Sequence, residues 1–344
     1  MSAKAALKGQ ILRFAPSPLL RAYNHLQLQF GPYRSGDTKK DWFRFRRLAK
    51  IARNGDPVRY GKLLQRVDPG LSLPDLADAR FVGSGLGMWN LTNYRTGLVD
   101  GQPVFEKIYL LNSLSWRKLL WAHSEVFPKL DMKPETPPLL WQSQGDWLAA
   151  AYFPFHPDVR PLPTSRVLSV ALSFQKTVAE FRWTGEDPDI CDFRRDPIYQ
   201  AHRKRLRGVL ARGGADPRHI ELAETCFLKP GMPRRFTHGD LTPGNVLFDG
   251  TILDLDLCGY YPVGYEYGKA VADGSGFASA EDVQGFLERQ LDLPSRKEQA
   301  AVYYFAATFY CAARGASRAV SDGFILSLWR RAAELIGQPS VRAS

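Results

Sequence analysis

The sequence predicts an α+β fold in which a small antiparallel β part precedes a mainly helical part, with a basic helical extension in front. Three observations predict it. Short β-type runs separated by turn signals fill residues 81–155. Helical periodicity dominates beyond Pro163. Lys and Arg accumulate before residue 67, where 15 of them face only 3 Asp/Glu. The boundaries that follow are 1–80 for the extension and connector, 81–155 for the β part and 156–344 for the helical part. A chain of 344 residues is too long for one small core, and 44% hydrophobic with 24% charged residues is ordinary globular composition.

The charge is unevenly placed. Residues 1–66 carry +12 and residues 67–344 carry −1, out of a net +11. Within the front segment, "KKDWFRFRRLAKIARNG" (39–55) puts Trp42, Phe45, Leu48, Ala49 and Ala52 on one helical stripe. Arg46, Arg47, Lys50 and Arg53 lie on another side, Ile51 falls off the stripe, and Asn54-Gly55 is a stop signal. Such a helix either packs on the rest of the protein or meets an anionic surface. The four cysteines (Cys191, Cys226, Cys258, Cys311) form no CxxC pair and read as reduced thiols of a cytoplasmic protein. No signal-peptide core and no 18-residue apolar run is present in the sequence.

After the connector "VDPGLSLPDLADAR" (67–80) the strands begin. Asp100-Gly101 between two β-type runs reads as a hairpin, with "PVFEKIYLL" (103–111) as its second arm. Residues 113–130 read as a helix capped by Ser113 or Ser115. "PPLLWQSQGDWLAAAYFPF" (137–155) gives two more strands around a "QGD" turn. Beyond Pro163, residues 165–181 form an amphipathic helix and 182–200 are irregular. Residues 201–228 are helical with a Gly213-Gly214 break, and 279–337 are again mostly helical.

The chemistry concentrates in "FTHGDLTPGNVLFDGTILDLD" (236–256). Asp249-Gly250 is favoured in two-residue hairpin turns, and such a turn brings Asn245 and Asp254 back together. An amide oxygen and a carboxylate there can share a hard cation such as Mg²⁺. Asp240, five residues before Asn245, can accept a proton from a hydroxyl. The bland alternative is that His238 and Asp240 only cap a turn.

The string "HGDLTPGNVLF" with "ILDLD" resembles the aminoglycoside-phosphotransferase-like family of the protein-kinase-like fold, which includes choline and lipopolysaccharide kinases. The resemblance implies a two-lobed, ATP-dependent phosphotransferase. It makes Asp240 the catalytic base, His238 the brace of its loop, and Asn245 and Asp254 the Mg²⁺ ligands, with Asp256 on the metal or substrate side. It makes "GSGLG" (Gly83, Gly85, Gly87) the loop over the phosphates and Lys107 the phosphate lysine, although a snorkelling edge-strand lysine is the alternative. Glu125 is the candidate to orient Lys107; Glu106 is set aside because adjacent strand residues point to opposite faces. Residues 149–155 become the interlobe hinge. Glu266 either steadies the catalytic loop or is an ordinary helix-start carboxylate.

The implied partners are ATP and a hydroxyl-bearing small molecule or glycolipid. Peripheral contact with an anionic membrane through residues 39–53, at the inner face, goes with the latter. A catalytically silent binder and an aminoglycoside- or choline-type kinase are the alternatives. Nucleic acid is not expected, since residues 1–66 hold no zinc, RNA-sheet or helix-turn-helix motif.

Overall fold

The computed structural model describes residues 56–84, 93–131, 136–155, 166–216, 218–266, 301–302, 304–308 and 322–335. The basic helix expected over 39–53, together with Gly85 and Gly87, lies outside the described residues. The chain divides into two compact units, residues 1–113 with 139–155, and residues 114–138 with 156–344.

The first unit is an antiparallel sheet of five strands: β1 (Ala77–Ser84), β2 (Asn93–Val99), β3 (Gln102–Leu110), β4 (Trp141–Gln144) and β5 (Leu148–Pro154). Their order in space is β1-β2-β3-β5-β4. The Asp100-Gly101 turn forms as expected. Both residues are left-handed, with φ of 49° and 78°, and Val99 pairs with Gln102 on either side. Two left-handed central residues make a tight turn whose twist matches that of the flanking strands, which is why Asp-Gly suits it.

One face of the sheet is covered by α1 (Pro57–Val67). Asp56 caps it by accepting the Val58 N–H at 2.8 Å, and Pro57 occupies the first turn, where its missing N–H costs nothing. Tyr60, Leu64 and Val67 recur at helical spacing. They form one core with Leu76, Val104, Ile108 and Tyr152. Just past the helix, the wholly buried Asp68 carboxylate accepts three backbone N–H groups, from Asp146, Trp147 and Leu148, at 2.8–3.0 Å. It thereby fixes the turn that the "QGD" reading placed between β4 and β5.

The second unit is mainly helical. It contains α2 (Leu114–Trp121), α3 (Val167–Thr177), α4 (Pro197–Arg212), α5 (His219–Leu228) and α6 (Asp322–Leu335). α2 starts directly after Ser113, then widens at Ala122–Val126 and tightens at Phe127–Lys129. The Gly213-Gly214 break ends α4, where Gly214 is left-handed and the Ala215 N–H returns to the Leu210 carbonyl at 2.9 Å. A two-stranded ribbon, β6 (Arg234–Thr237) against β7 (Gly259–Pro262), crosses this unit. Phe236, 0% exposed, sits among Trp121, Phe127 and Phe174 at ring separations of 5.5–5.8 Å. This aromatic packing holds the ribbon, and the ribbon holds the polar loop that follows it.

Candidate active site

The loop leaves β6 at His238, which is 0% exposed. Its Nδ1 accepts the Asp240 N–H at 3.1 Å, so that nitrogen carries no proton. Its Nε2, 2.8 Å from the Leu253 carbonyl oxygen, is then the donor. The partners assign a neutral ring that ties the Asp240 backbone to the residue preceding Asp254.

Gly239 makes the bend possible. Its φ is 77°, and a Cβ would overlap the Leu257 carbonyl oxygen. Only glycine fits both conditions. Below the bend lies Glu266, 1% exposed. Its Oε2 accepts the N–H of His238 and, at 3.3 Å, that of Gly239. Of the two sequence readings of Glu266, the loop-steadying one matches these bonds. Burial pushes its pKa up to about 7, against the opposing pull of the two backbone N–H groups. Among the described residues, its other oxygen, Oε1, has no hydrogen-bond partner.

Asn245 closes the loop. Its Nδ2 donates to the Asp240 carbonyl oxygen at 2.8 Å and to Asp240 Oδ2 at 3.1 Å. The amide is thereby oriented by Asp240 itself, and its Oδ1 is the oxygen left to face another partner. The five-residue spacing between Asp240 and Asn245 therefore corresponds to direct contact.

The hairpin beyond Asn245 differs from its sequence reading. Instead of a two-residue turn between two strands, a single bridge joins Val246 to Ile252. Leu247 N–H donates to the Thr251 carbonyl, and Gly250 N–H returns to that of Leu247. The loop has three residues, 248–250, with Gly250 left-handed at φ 94°. The register is offset by one, so that the Leu253 N–H donates to the Asn245 carbonyl at 2.8 Å and Asp254 lies one residue beyond. Asp254 adopts φ 66°, ψ 74°, an uncommon region for a non-glycine residue, and starts the tight turn Leu255–Leu257. Asp256, in that turn, is 7% exposed.

The remaining candidates lie as follows. Gly83 is in β1. Lys107, 5% exposed, is in the central strand β3, so the edge-strand snorkelling alternative fails. Its ammonium lies 5.4 Å from the Tyr109 ring centre, and across the ladder it pairs with Ala151. Glu106 points to the opposite face, the one covered by α1. There Arg95 donates to it at 2.7 and 2.5 Å and the Tyr152 hydroxyl at 2.5 Å. Glu125 is half-exposed and its carboxylate pairs with Lys129 at 2.8 Å.

Sequence reasoning missed Lys118. It is 0% exposed, and its ammonium donates to the Tyr261 hydroxyl at 2.6 Å, with Asp196 at 4.0 Å. Its carbonyl accepts the Cys258 thiol, and α2 packs on the turn Leu255–Leu257. Nothing in the pattern of α2 marks this lysine, because Arg117 beside it has the same charge and is exposed.

Residues 131–300, which contain this whole loop, match the model of the APH phosphotransferase enzyme family. The segment belongs to that family. The protein is a phosphotransferase, a transferase of the kinase class, as the motif implied. No curated protein matches the sequence. Among solved structures, a spectinomycin phosphotransferase in complex with ADP and spectinomycin is 14% identical. It covers 81% of this chain and 93% of its own, with a TM-score of 0.39. A type VIII aminoglycoside-3′-phosphotransferase is 15% identical over 80% and 97%, with a TM-score of 0.31. A Streptomyces rimosus aminoglycoside phosphotransferase is 18% identical over 75% and 97%, with a TM-score of 0.33. At such scores the α+β architecture of this phosphotransferase rests on its own strand order and helices.

The donor set suits a hard cation. Asn245 Oδ1 and the Asp254 carboxylate offer oxygen atoms, the ligand type that Mg²⁺ takes beside water and phosphate. Among the described residues no three His, Cys, Asp or Glu side chains cluster as metal ligands. Also among the described residues, no helix is long and apolar enough to cross a membrane.

Proposed function

We propose that this phosphotransferase moves the γ-phosphoryl group of Mg-ATP to a hydroxyl of a small molecule. The observation that carries the reading is the bonding of Asn245 to both the backbone and the carboxylate of Asp240. It supports a fixed base beside a fixed oxygen ligand. Asp240 orients the acceptor hydroxyl and takes its proton. Asn245 and Asp254 would hold Mg²⁺, which offsets charge on the phosphates when bound. Lys107, Gly83, Gly85 and Gly87 are the residues proposed to contact nucleotide phosphate. Positioning and electrostatics do most of the work in such a transfer.

The acceptor is read from charge alone. A front segment of +12 favours an anionic or lipid-linked sugar at an anionic membrane surface over a polycationic antibiotic. The test is Mg-ATP consumption by the full chain against sugars, amino alcohols, aminoglycosides and lipid-linked glycans, alongside Asp240→Ala. Turnover on one acceptor class that disappears in the variant is expected. Undiminished turnover in Asp240→Ala would remove the mechanism. No Mg-ATP binding at all would favour the silent-binder alternative. Flotation with phosphatidylserine vesicles tests the membrane part: binding that survives deletion of residues 1–66 overturns it.

A further inference from the structure

β6 has two ends with different surroundings. Its last residue, Thr237, leads into the catalytic loop. Its first, Arg234, lines a pocket of about 640 Å³ that lies wholly within the second unit. From Arg234 to His238 the extended chain covers about 13 Å. The pocket is thus a separate concavity on the same ribbon, and its volume is in the range of small-molecule sites.

Its chemistry is asymmetric. Arg234 is half-buried, and its guanidinium is held by two backbone carbonyls, Cys191 at 3.4 Å and Leu228 at 3.2 Å. Among the described residues it has no carboxylate partner. The bond to Leu228 caps the last carbonyl of α5, but two bonds use only part of a five-donor group. The neighbouring Arg194 is different: Asp192 grips it at Nε and Nη2, at 2.9 and 2.7 Å. Asp192 is thereby neutralised within the wall, and Lys229 adds a further cation at the rim. Of the lining groups, only Glu186 is a carboxylate outside that pair.

Beside the arginine stands a flat apolar surface. Trp183 is half-buried and fixed edge-on against Trp121 at 5.3 Å and Tyr260 at 6.0 Å. A Cβ on Gly185 would overlap its indole, so the chain folds back against the ring at that point. A preset guanidinium next to a preset indole is what a ring-bearing anion needs. The charged group receives paired N–H donors, and the ring covers apolar area without ordering anything new.

We propose that this pocket binds a small anionic ring compound, with its phosphate or carboxylate on Arg234 and its ring on Trp183, independently of the phosphotransfer site. The probes are phenyl phosphate, benzoate and neutral phenol, titrated into the full-length protein with and without saturating Mg-ATP. One of the two anions binds saturably, phenol does not, and Mg-ATP does not displace the anion. Tighter binding of phenyl phosphate than of benzoate assigns a phosphate, and the reverse a carboxylate.

Arg234→Gln lowers the affinity about tenfold, the loss of one charge-assisted contact. A second readout needs no variant. Cys191 lines the pocket, and the bound anion slows its alkylation by iodoacetamide, followed by mass spectrometry. Displacement by Mg-ATP, unchanged affinity in a folded Arg234→Gln, absence of binding, or alkylation at the same rate with and without the anion would each overturn the proposal.

Discussion

The same dipeptide, Asp-Gly, turns the chain twice with different results. At Asp100-Gly101 both residues are left-handed and the two arms pair from Val99↔Gln102 outward. At Asp249-Gly250 only the glycine is left-handed, while the Asp249 side chain accepts the Thr251 N–H at 2.9 Å. The difference comes from what flanks the turn. The first joins strands of seven and nine residues inside a five-stranded sheet, whose twist selects the two-residue form. The second is flanked by one bridge, so local side-chain bonding prevails and a third residue enters the loop. The one-residue offset frees Asp254 from the ladder. It leaves Asp254 in a left-handed conformation, next to the loop where the chemistry is proposed. Backbone strain of this sort costs on the order of 1–3 kcal/mol and persists where the surroundings dictate it.

The largest expected effect separates Asp100 from Asp254, two of the three aspartates with positive φ among the described residues. Asn also tolerates that backbone region, so Asp254→Asn and Asp100→Asn should both fold with little change in Tm. Turnover should fall on the order of 10²–10³-fold in Asp254→Asn, the scale of losing one electrostatic contact to the reacting group. In Asp100→Asn it should be unchanged. Equal turnover in the two variants would show that the left-handed Asp254 is only a turn residue.

Next in size is Gly239→Ala. Here a Cβ meets both a positive φ and the Leu257 carbonyl, and the combined cost is about 2–5 kcal/mol. Urea unfolding of the purified variant reads it directly. A loss below about 1 kcal/mol, the φ penalty alone, would mean that the loop can shift away from Leu257.

What was legible in the sequence follows the same division. The sheet was readable because β3 and β5 are long runs bounded by Asp100-Gly101 and "QGD", and periodicity carries over many residues. Asp240 and Asn245 were readable as residues because they sit in one short motif, whereas the bonds between them are a fact of how that loop folds. The register at Asp254 was not, since it depends on whether a ladder exists to impose twist. Lys118 escaped for a different reason. Its partner Tyr261 lies 143 residues away, and only the packing of α2 on the turn Leu255–Leu257 puts them together. Glu266 showed an intermediate case: its position was noticed, but its partners, the N–H groups of His238 and Gly239, are a tertiary fact.

Glu266 gives the third prediction, and its sign is opposite to that of an ordinary paired carboxylate. Its pKa rises from 4.5 to about 7 on folding, so the folded state holds the proton more tightly than the unfolded chain. Below 4.5 both states are protonated and nothing is lost. As pH rises from 4.5 to 7 the unfolded chain ionises first, and stability falls by up to about 3 kcal/mol before levelling off. Glu266→Gln keeps an acceptor for the two N–H groups and removes the ionisation. The stability difference between the variant and the native chain should therefore move in favour of Gln across that window. Urea midpoints at pH 4.5, 6 and 7.5 measure it, and a difference that stays constant would refute the burial-driven shift.

The smallest effect returns to the two turns. Among the described residues nothing lies within 4 Å of a Cβ added at Gly101, so Gly101→Ala pays only for its φ of 78°, about 1 kcal/mol. Gly250→Ala bears a similar penalty at φ 94°. The consequences should nevertheless diverge. Losing the left-handed residue at 101 strains a turn whose register the sheet fixes independently, so turnover stays at the native level. At 250 the glycine itself sets the three-residue loop. With only the Val246↔Ile252 bridge to oppose it, the cheapest relief is a change of register, and that moves Asp254 relative to Asn245. Turnover should fall severalfold in Gly250→Ala at a stability loss equal to that of Gly101→Ala. If both variants keep native turnover, the bridge alone is enough to hold the offset register, and the glycine is dispensable for placing Asp254.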